Sequence, residues 1–266
     1  MRVVIRGAGD LATGIALRLR RAGFQVFMLE IAEPTAIRRS VAMSEAVRLG
    51  EMRVEDVRGV YCQSVQEAQN AVSVGDIAVI ADEKCETLAA LKPDVLVDAI
   101  IAKRNCGTRR DMAPFVVALG PGFTAGIDCD AVIETMRGHD LGRVFYMEGA
   151  MACADTHEPG NVGGFTHERV MHTPCAGVYE PVCRIGDMVK AGDTVAYVDG
   201  QPVKAKIDGM LRGQLPAGLS VFKGMKCADV DPRCKRIHCF TVSDKARCLG
   251  GAVLEAILHA YPIAGK

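Results

Sequence analysis

The sequence predicts an α/β protein: an N-terminal doubly wound, Rossmann-like parallel sheet, a small C-terminal all-β barrel-sandwich unit of the biotinyl/lipoyl kind, and a terminal helix. Three observations carry this. The chain begins with a β-branched run that breaks at glycine into a helical pattern. Short, nearly continuous apolar runs then alternate with amphipathic stretches, as strands covered on both faces require. Further on, a glycine-punctuated segment repeats itself with an offset of 32 residues. The expected divisions are a cofactor-binding domain over residues 1–155, a repeat domain over 165–235, and a strand and helix over 236–266 that dock on the core. The aperiodic, glycine-rich segment Thr156–Gly164 reads as the linker.

The opening is the most informative element. Met1–Arg6 reads as a strand, and Gly7-Ala8-Gly9-Asp10-Leu11-Ala12 follows as G-x-G-x-x-A, with Leu11, Ile15 and Leu19 on one helical face. Gly7 supplies unusual backbone angles, Gly9 lets a phosphate approach the main chain, and the helix start offers unpaired N–H groups. The second strand, Phe24–Leu29, ends in Glu30, 21 residues beyond Gly9, where a dinucleotide fold places the acid that binds a ribose hydroxyl. Asp10 puts negative charge beside the expected phosphate, and Arg6 is either a phosphate ligand or a partner for Asp10. The competing reading is a βα turn that uses glycine for packing alone.

After Glu30 a Pro-led helix is expected over Thr35–Leu49. Strands follow over Val57–Cys62, Ile77–Ile80, Val95–Ile100 and Phe115–Leu119, with helices over Val65–Val72 and Cys85–Leu91. Ala131–Arg137 reads as helical and Val144–Met147 as a strand. Ligands of doubly wound sheets collect beyond the strands' carboxyl ends. The loop 102–110, with Lys103, Asn105, Cys106 and Thr108, and the loop 120–128, with Gly120, Gly122 and Asp128, should therefore face the same crevice as Gly7–Ala12. Lys103, Asn105 and Thr108 are candidate ligand contacts and Asp128 a candidate acid. His139, between a glycine turn and Asp140, is a candidate proton carrier or anion contact.

In the repeat, Ala176-Gly177-Val178 corresponds to Asp208-Gly209-Met210, Gly186 to Gly218, Gly192 to Gly224, and Val198-Asp199 to Val230-Asp231. Biotinyl and lipoyl carriers are built from such halves but carry a lysine at the hairpin tip. Here the tip is Val198-Asp199-Gly200-Gln201-Pro202, and Lys204 and Lys206 lie beyond it. Ser243 can N-cap a last helix with Leu249, Val253 and Ile257 on one face, which docks on the first domain or forms a homo-oligomer contact.

Basic and acidic residues balance at 32 each, which argues against an electrostatic grip on nucleic acid or an anionic membrane. No apolar run reaches the roughly 18 residues of a membrane helix, and Arg2 and Arg6 interrupt any signal peptide, so a cytoplasmic location is expected. Eleven scattered cysteines without C-x-x-C fit reduced thiols, and Cys234, His238 and Cys239 lack the second ligand pair of a structural zinc.

Together these stretches resemble the YqeB-type family of accessory proteins of selenium-dependent molybdenum hydroxylase systems, and more distantly the xanthine dehydrogenase accessory proteins. The likeness runs through Gly7–Gly14, Gly120–Gly126, Val132–Thr135, Arg137-Gly-His139, Leu141-Gly-Arg143, Leu211-Arg-Gly213, Asp229–Arg233 and Ser243–Arg247. Met136 departs from the family's more usual asparagine. The resemblance implies maturation of a molybdenum hydroxylase apoenzyme and a pocket for a nucleotide or pterin, with NAD(P) or a molybdenum cofactor nucleotide as candidate ligands. It also gives the thiols a use, because selenium delivery favours an activated thiolate. Cys106, among Lys103, Arg104, Arg109 and Arg110, is the candidate. The alternatives are an NAD(P)-dependent oxidoreductase, resting on the glycine turn and Glu30, and a non-catalytic carrier or binding module, resting on the repeat.

Overall fold

The computed structural model describes residues 1–262. The chain forms two compact units: one contains residues 1–34, 42–156 and the C-terminal stretch from Val242, the other residues 35–41 and 157–241.

In the first unit, β1 (Arg2–Arg6), α1 (Asp10–Arg21) and β2 (Gln25–Glu30) form the expected βαβ opening. They are followed by α2 (Glu45–Leu49), β3 (Glu51–Val54), β4 (Val57–Tyr61), α3 (Val65–Ser73), β5 (Ile77–Ala81), α4 (Leu88–Leu91), β6 (Val95–Asp98), β7 (Phe115–Leu119), β8 (Ala131–Ile133) and β9 (Val144–Phe145). The sheet order is β3-β4-β5-β2-β1-β6-β7-β8-β9. The seven inner strands are parallel, and β3 and β9 close the edges antiparallel. Because β1 sits between β2 and β6, the strand order turns at β1. The β-branched runs of β1, β5, β6 and β7 are buried on both faces, with Val4, Phe27, Leu96, Val116 and Val132 in one core layer.

Four expectations needed correction. The helix expected over Thr35–Leu49 shrinks to α2, because residues 35–41 are held in the second unit: Arg39 donates to the Gln214 carbonyl at 2.8 Å, Ser40 to that of Cys239 at 2.5 Å, and Arg38 to that of His238 at 2.8 Å. The helix expected from Cys85 starts at Leu88, since Cys85 takes a left-handed φ of 61° and Asp82 accepts from the N–H groups of Glu86 and Thr87. Residues 131–133, expected to be helical, are strand β8, paired with both β7 and β9, so tertiary pairing overrode local pattern. The strand expected over Val144–Met147 ends at Phe145.

In the second unit, β10 (Val170–His172) precedes the repeat. The first copy gives β11 (Gly177–Pro181), β12 (Met188–Val189) and β13 (Thr194–Val198), then the hairpin strand β14 (Gln201–Lys204). The second copy gives β15 (Gly209–Gln214), β16 (Ser220–Val221) and β17 (Lys226–Asp231). One sheet runs β10-β17-β15-β12 and the other β14-β13-β11-β16, so each copy lends its short strand to the other copy's sheet. Tyr179, Val195, Val198, Leu211 and Val230 fill the core between them. The β13–β14 tip is Asp199-Gly200, both with positive φ (45° and 78°), a turn that suits a tight hairpin. Where a strand was expected within 236–266, there is instead the short helix α5 (Ile237–Phe240).

The chain then returns to the first unit as α6 (Asp244–Ala260). Ser243 caps it, accepting from the Ala246 N–H at 3.2 Å, and Leu249, Val253 and Ile257 are fully buried. Residues 263–266 lie outside the described residues. Among those described, no helix is long and apolar enough to cross a membrane.

Candidate functional site

The glycine turn is built differently from a plain phosphate cradle. Gly7, at φ 94°, donates its N–H to the Leu29 carbonyl at 2.7 Å, and a Cβ there would lie 3.1 Å from the Ala99 carbonyl oxygen. Its glycine thus lets β1 leave the sheet against the exit of β6. Gly9 has an ordinary φ of −65°, and a Cβ there would meet nothing within 4 Å, so the approach to α1 is open. Asp10 and Ala12 occupy the first turn of α1, Ala12 buried and Asp10 half-buried. The Glu30 carboxylate accepts from the N–H groups of Ala8 and Ile31, both at 2.8 Å. The acid expected to meet a ribose is therefore bound to the turn itself, and burial raises its pKa against those two bonds.

Arg6 turns toward β6. It pairs with Asp98 at 3.5 Å, donates to the Cys106 carbonyl at 3.1 Å and bonds the Thr108 hydroxyl, which donates to Asp98 at 2.5 Å. Burial raises the Asp98 pKa, opposed by Thr108 and Arg6. Asn105 holds its own loop, its Oδ1 accepting from the N–H groups of Gly107 and Thr108 and its Nδ2 donating to Asp128 at 3.2 Å. Asp128 in turn accepts from the Thr124 N–H at 2.8 Å. A Cβ on Gly122 would fall 2.5 Å from the Arg104 Cα, and one on Gly120 2.9 Å from the Thr135 hydroxyl. The loops after β6 and β7 thus meet as expected. Asn105 and Asp128 are spent joining them, and Thr108 ties the first of them to Arg6 and Asp98.

Cys106 is exposed, with its thiol 3.8 Å from the Arg104 carbonyl. Three of the four cations expected to activate it are paired: Lys103 with Asp155 at 2.8 Å, Arg109 with Asp111 at 3.0 Å, and Arg110 with Asp130 at 2.6 Å. His139 is exposed in the β8–β9 connection, beside an Asp140–Arg143 pair. Cys234 is exposed while Cys239 is buried against the Leu211 carbonyl, and no group of three or more potential ligands close enough to hold a metal occurs among the described residues.

Four groups absent from the expected list meet at the carboxyl edge of the sheet. Buried Glu134, just beyond β8, accepts from the N–H groups of Thr135, Met136 and Cys153, each at 2.7 Å. Burial opposes its ionisation, but these bonds hold its pKa below the ordinary value. The exposed Cys153 thiol bonds the same carboxylate, and that bond and charge push the thiol pKa up. Arg137 grips Asp244 with two bonds, at 2.7 and 2.8 Å. Two residues later, Ala246 is seated on α1: a Cβ on Gly14 would lie 2.5 Å from the Ala246 Cβ, and one on Gly250 would lie 2.9 Å from the Gly14 carbonyl oxygen. The helices touch backbone to backbone, and their starts lie at the same end.

Lys245 stands between those two anchors. It is half-buried and makes no hydrogen bond or ion pair among the described residues. Burial lowers its pKa most, then Arg137; Asp10 and Glu134 oppose this, and Lys103 adds to it. The sequence contained Lys245 within the Ser243–Arg247 word, but no local signal says that the last helix returns to the first.

No protein-family model matches this chain. It is 51% identical over 256 residues to the "Uncharacterized protein YqeB" of Escherichia coli (strain K12), a match covering 96% of this chain and 47% of that protein. The chain thus spans about half the length of the curated relative it matches. Among solved structures it is similar to an aspartoacylase family protein from Mesorhizobium loti (14% identity, 86% of this chain and 84% of that one, TM-score 0.28). It is also similar to the product-bound ectoine utilization protein EutE (DoeB) from Ruegeria pomeroyi (10% identity, 85% and 52%, TM-score 0.23). Scores this low carry no argument about function.

Proposed function

We propose that this chain is an accessory factor in the maturation of a selenium-dependent molybdenum hydroxylase. In this reading the first unit holds a phosphate-bearing molecule, a molybdenum cofactor nucleotide or pterin, at the carboxyl edge of its sheet. The second unit is a barrel-sandwich module of the biotinyl/lipoyl kind that contacts the hydroxylase apoenzyme. The observation that supports it best is the state of the edge. Its loops converge around an unpaired Lys245, while Asn105, Thr108 and Asp128 serve the scaffold. Such an edge suits holding a ligand better than transforming it. The YqeB-type resemblance supplies the hydroxylase.

An NAD(P)-dependent oxidoreductase is the competing reading. Glu30 weighs against it, because its carboxylate is already bonded to the Ala8 and Ile31 N–H groups, bonds that a ribose hydroxyl would have to displace. The carrier reading needs a lysine at the β13–β14 tip; Lys204 instead pairs across from Thr194. Intact mass should accordingly show no biotinyl or lipoyl adduct on Lys204 or Lys206.

Deleting the gene tests the proposal: the hydroxylase should be made but lack bound molybdenum and selenium, and a fully loaded enzyme in the deletion strain would reject it. In the same assay Cys106→Ser should keep ligand binding and abolish activation if that thiol handles selenium or sulfur. Full activation would remove that role.

A further inference from the structure

We propose that Lys245 is the anchor of an oxyanion site, its ammonium receiving the phosphate or carboxylate of a small molecule at the carboxyl edge of the first unit's sheet. This deepens the reading of that edge as a ligand site and does not depend on the hydroxylase.

Position comes first. Asp244 is clamped to Arg137 in the loop after β8, and Ala246 is wedged on Gly14 of α1, so residue 245 is fixed on both sides. Its side chain therefore lies where the loops after β1, β6 and β8 meet, with Asp10, Lys103, Glu134 and Arg137 all within electrostatic reach. Precision of this kind is wasted on a solvated surface lysine.

Partnership comes second. The other ions in the cluster are engaged: Lys103 with Asp155, Arg137 with Asp244, and Glu134 with three main-chain N–H groups and the Cys153 thiol. Lys245 has only the through-space pull of Asp10 and Glu134, set against the push of Arg137 and Lys103. A half-buried ammonium without a hydrogen-bonded counter-ion is costly, which makes it a candidate for pairing with a ligand. A bound oxyanion would repair the deficit, pairing the charge and favouring its proton. The space before Gly9 is open, so the ligand has room beside the start of α1. The Ala8 N–H of the glycine turn is not available to the oxyanion, because Glu30 already accepts from it.

Calorimetry on the purified full chain tests this, using inorganic phosphate, pyrophosphate and acetate as probes in buffers of different ionisation heat. Wild type should bind one class, the phosphate and acetate arms telling which, and in alkaline buffer, where the amine begins to lose its proton and phosphate has already lost its second, binding should bring net proton uptake. Binding should weaken as pH rises and the amine loses its proton. Lys245→Gln should weaken binding about tenfold or more, while Lys245→Arg should bind without proton uptake, because a guanidinium does not titrate. Thermal unfolding of the empty glutamine variant should be no lower than wild type, since an unpaired charge has been removed. Equal affinity in the glutamine variant, unchanged proton uptake in the arginine variant, or no binding of any probe would overturn the site. Hydroxylase loading in cells separates the two ideas: a calorimetric site lost in Lys245→Gln beside a still-loaded hydroxylase leaves the oxyanion site standing and removes the maturation reading.

Discussion

In the second unit, Asp229 and Asp231 on one face of β17 are surrounded by arginines. Arg169 bonds Asp229, Arg212 reaches both carboxylates at 3.9 and 3.8 Å, and Arg233 grips Asp231 at 2.6 and 2.9 Å, with His238 3.7 Å away. In the first unit, Lys245 is held just as firmly but given no counter-ion. The two aspartates are buried, whereas Lys245 is half-buried. In one cluster, every carboxylate is matched by arginines, as in a cross-brace between strands, although Arg169 Nε, Arg212 Nε and His238 Nδ1 make no hydrogen bond; in the other, the ammonium is short of a partner that a ligand can supply. Buried charge alone does not identify a site; the missing partner does.

The largest effect should come from opening the closed cluster. Asp231→Ala removes a carboxylate that is 1% exposed and that Arg212 and Arg233 share, so urea unfolding should show a loss of about 3–5 kcal/mol. Burial alone would raise the Asp231 pKa, but Arg233, aided by Arg212, pulls it from 3.8 to about 2. A depressed carboxylate stabilises the fold above its unfolded pKa and loses that contribution as pH falls through the folded value. The gap between wild type and Asp231→Asn should therefore be full above pH ~4 and close toward pH ~2. A loss under about 1 kcal/mol, the range of surface pairs, would mean the cluster is not closed.

The next effect tests how the open cluster is positioned. Gly14→Ala places a methyl 2.5 Å from the Ala246 Cβ and 2.9 Å from its backbone, so α6 must shift, at about 1–3 kcal/mol. Phosphate binding should fall with it, although residue 14 touches no ligand. Unchanged binding beside lowered stability would mean that Lys245 does not depend on the helix seam.

These residues also show how far the sequence could be read. Val4, Val97 and Val117 lie in apolar runs that only a two-sided sheet explains, and the 32-residue offset maps β11, β12 and β13 onto β15, β16 and β17. The Ser243 cap and the Leu249, Val253 and Ile257 face were equally plain, because capping and periodicity are local. What lay hidden was nonlocal. Residues 131–133 are strand only because β7 and β9 flank them, and residues 35–41 pack on β15 so closely that a Cβ on Gly213 would lie 2.6 Å from the Ile37 carbonyl oxygen. At the candidate site, the glycine turn lies at the carboxyl edge of the sheet, as read from the sequence. The roles expected of Glu30, Asn105, Thr108 and Asp128 instead went to loop bonds, and Lys245 arrives from more than 200 residues away.

A smaller effect bears on the competing nicotinamide reading. Glu30→Gln keeps an acceptor for one main-chain N–H and removes charge from the turn, so stability should change by about 1 kcal/mol. Burial raises the Glu30 pKa, so in wild type the folded state binds more protons than the unfolded one just above the ordinary carboxyl value, and stability falls with pH across that window. The glutamine variant should lack this fall. If Glu30 only braces the turn, calorimetry will find phosphate binding unchanged or tighter; a variant that loses NAD or NADP binding would favour the oxidoreductase.

The smallest expected change in stability falls on Gly9. Its φ of −65° suits any residue and a Cβ there meets nothing within 4 Å, so Gly9→Val should fold, losing about 0.5 kcal/mol for the poorer N-cap and branched side chain. Binding is where it should act. The added isopropyl group fills the space before the first turn of α1, on the side where an oxyanion held by Lys245 would lie, so phosphate or pyrophosphate affinity should fall while the thermal midpoint barely moves. Gly9→Ala, with a single methyl, should lie between wild type and valine in affinity. That graded loss without matched destabilisation separates obstruction from misfolding. If the valine variant binds as well as wild type, the ligand approaches Lys245 from the β8 side and the glycine turn serves only the packing of β1 against β6.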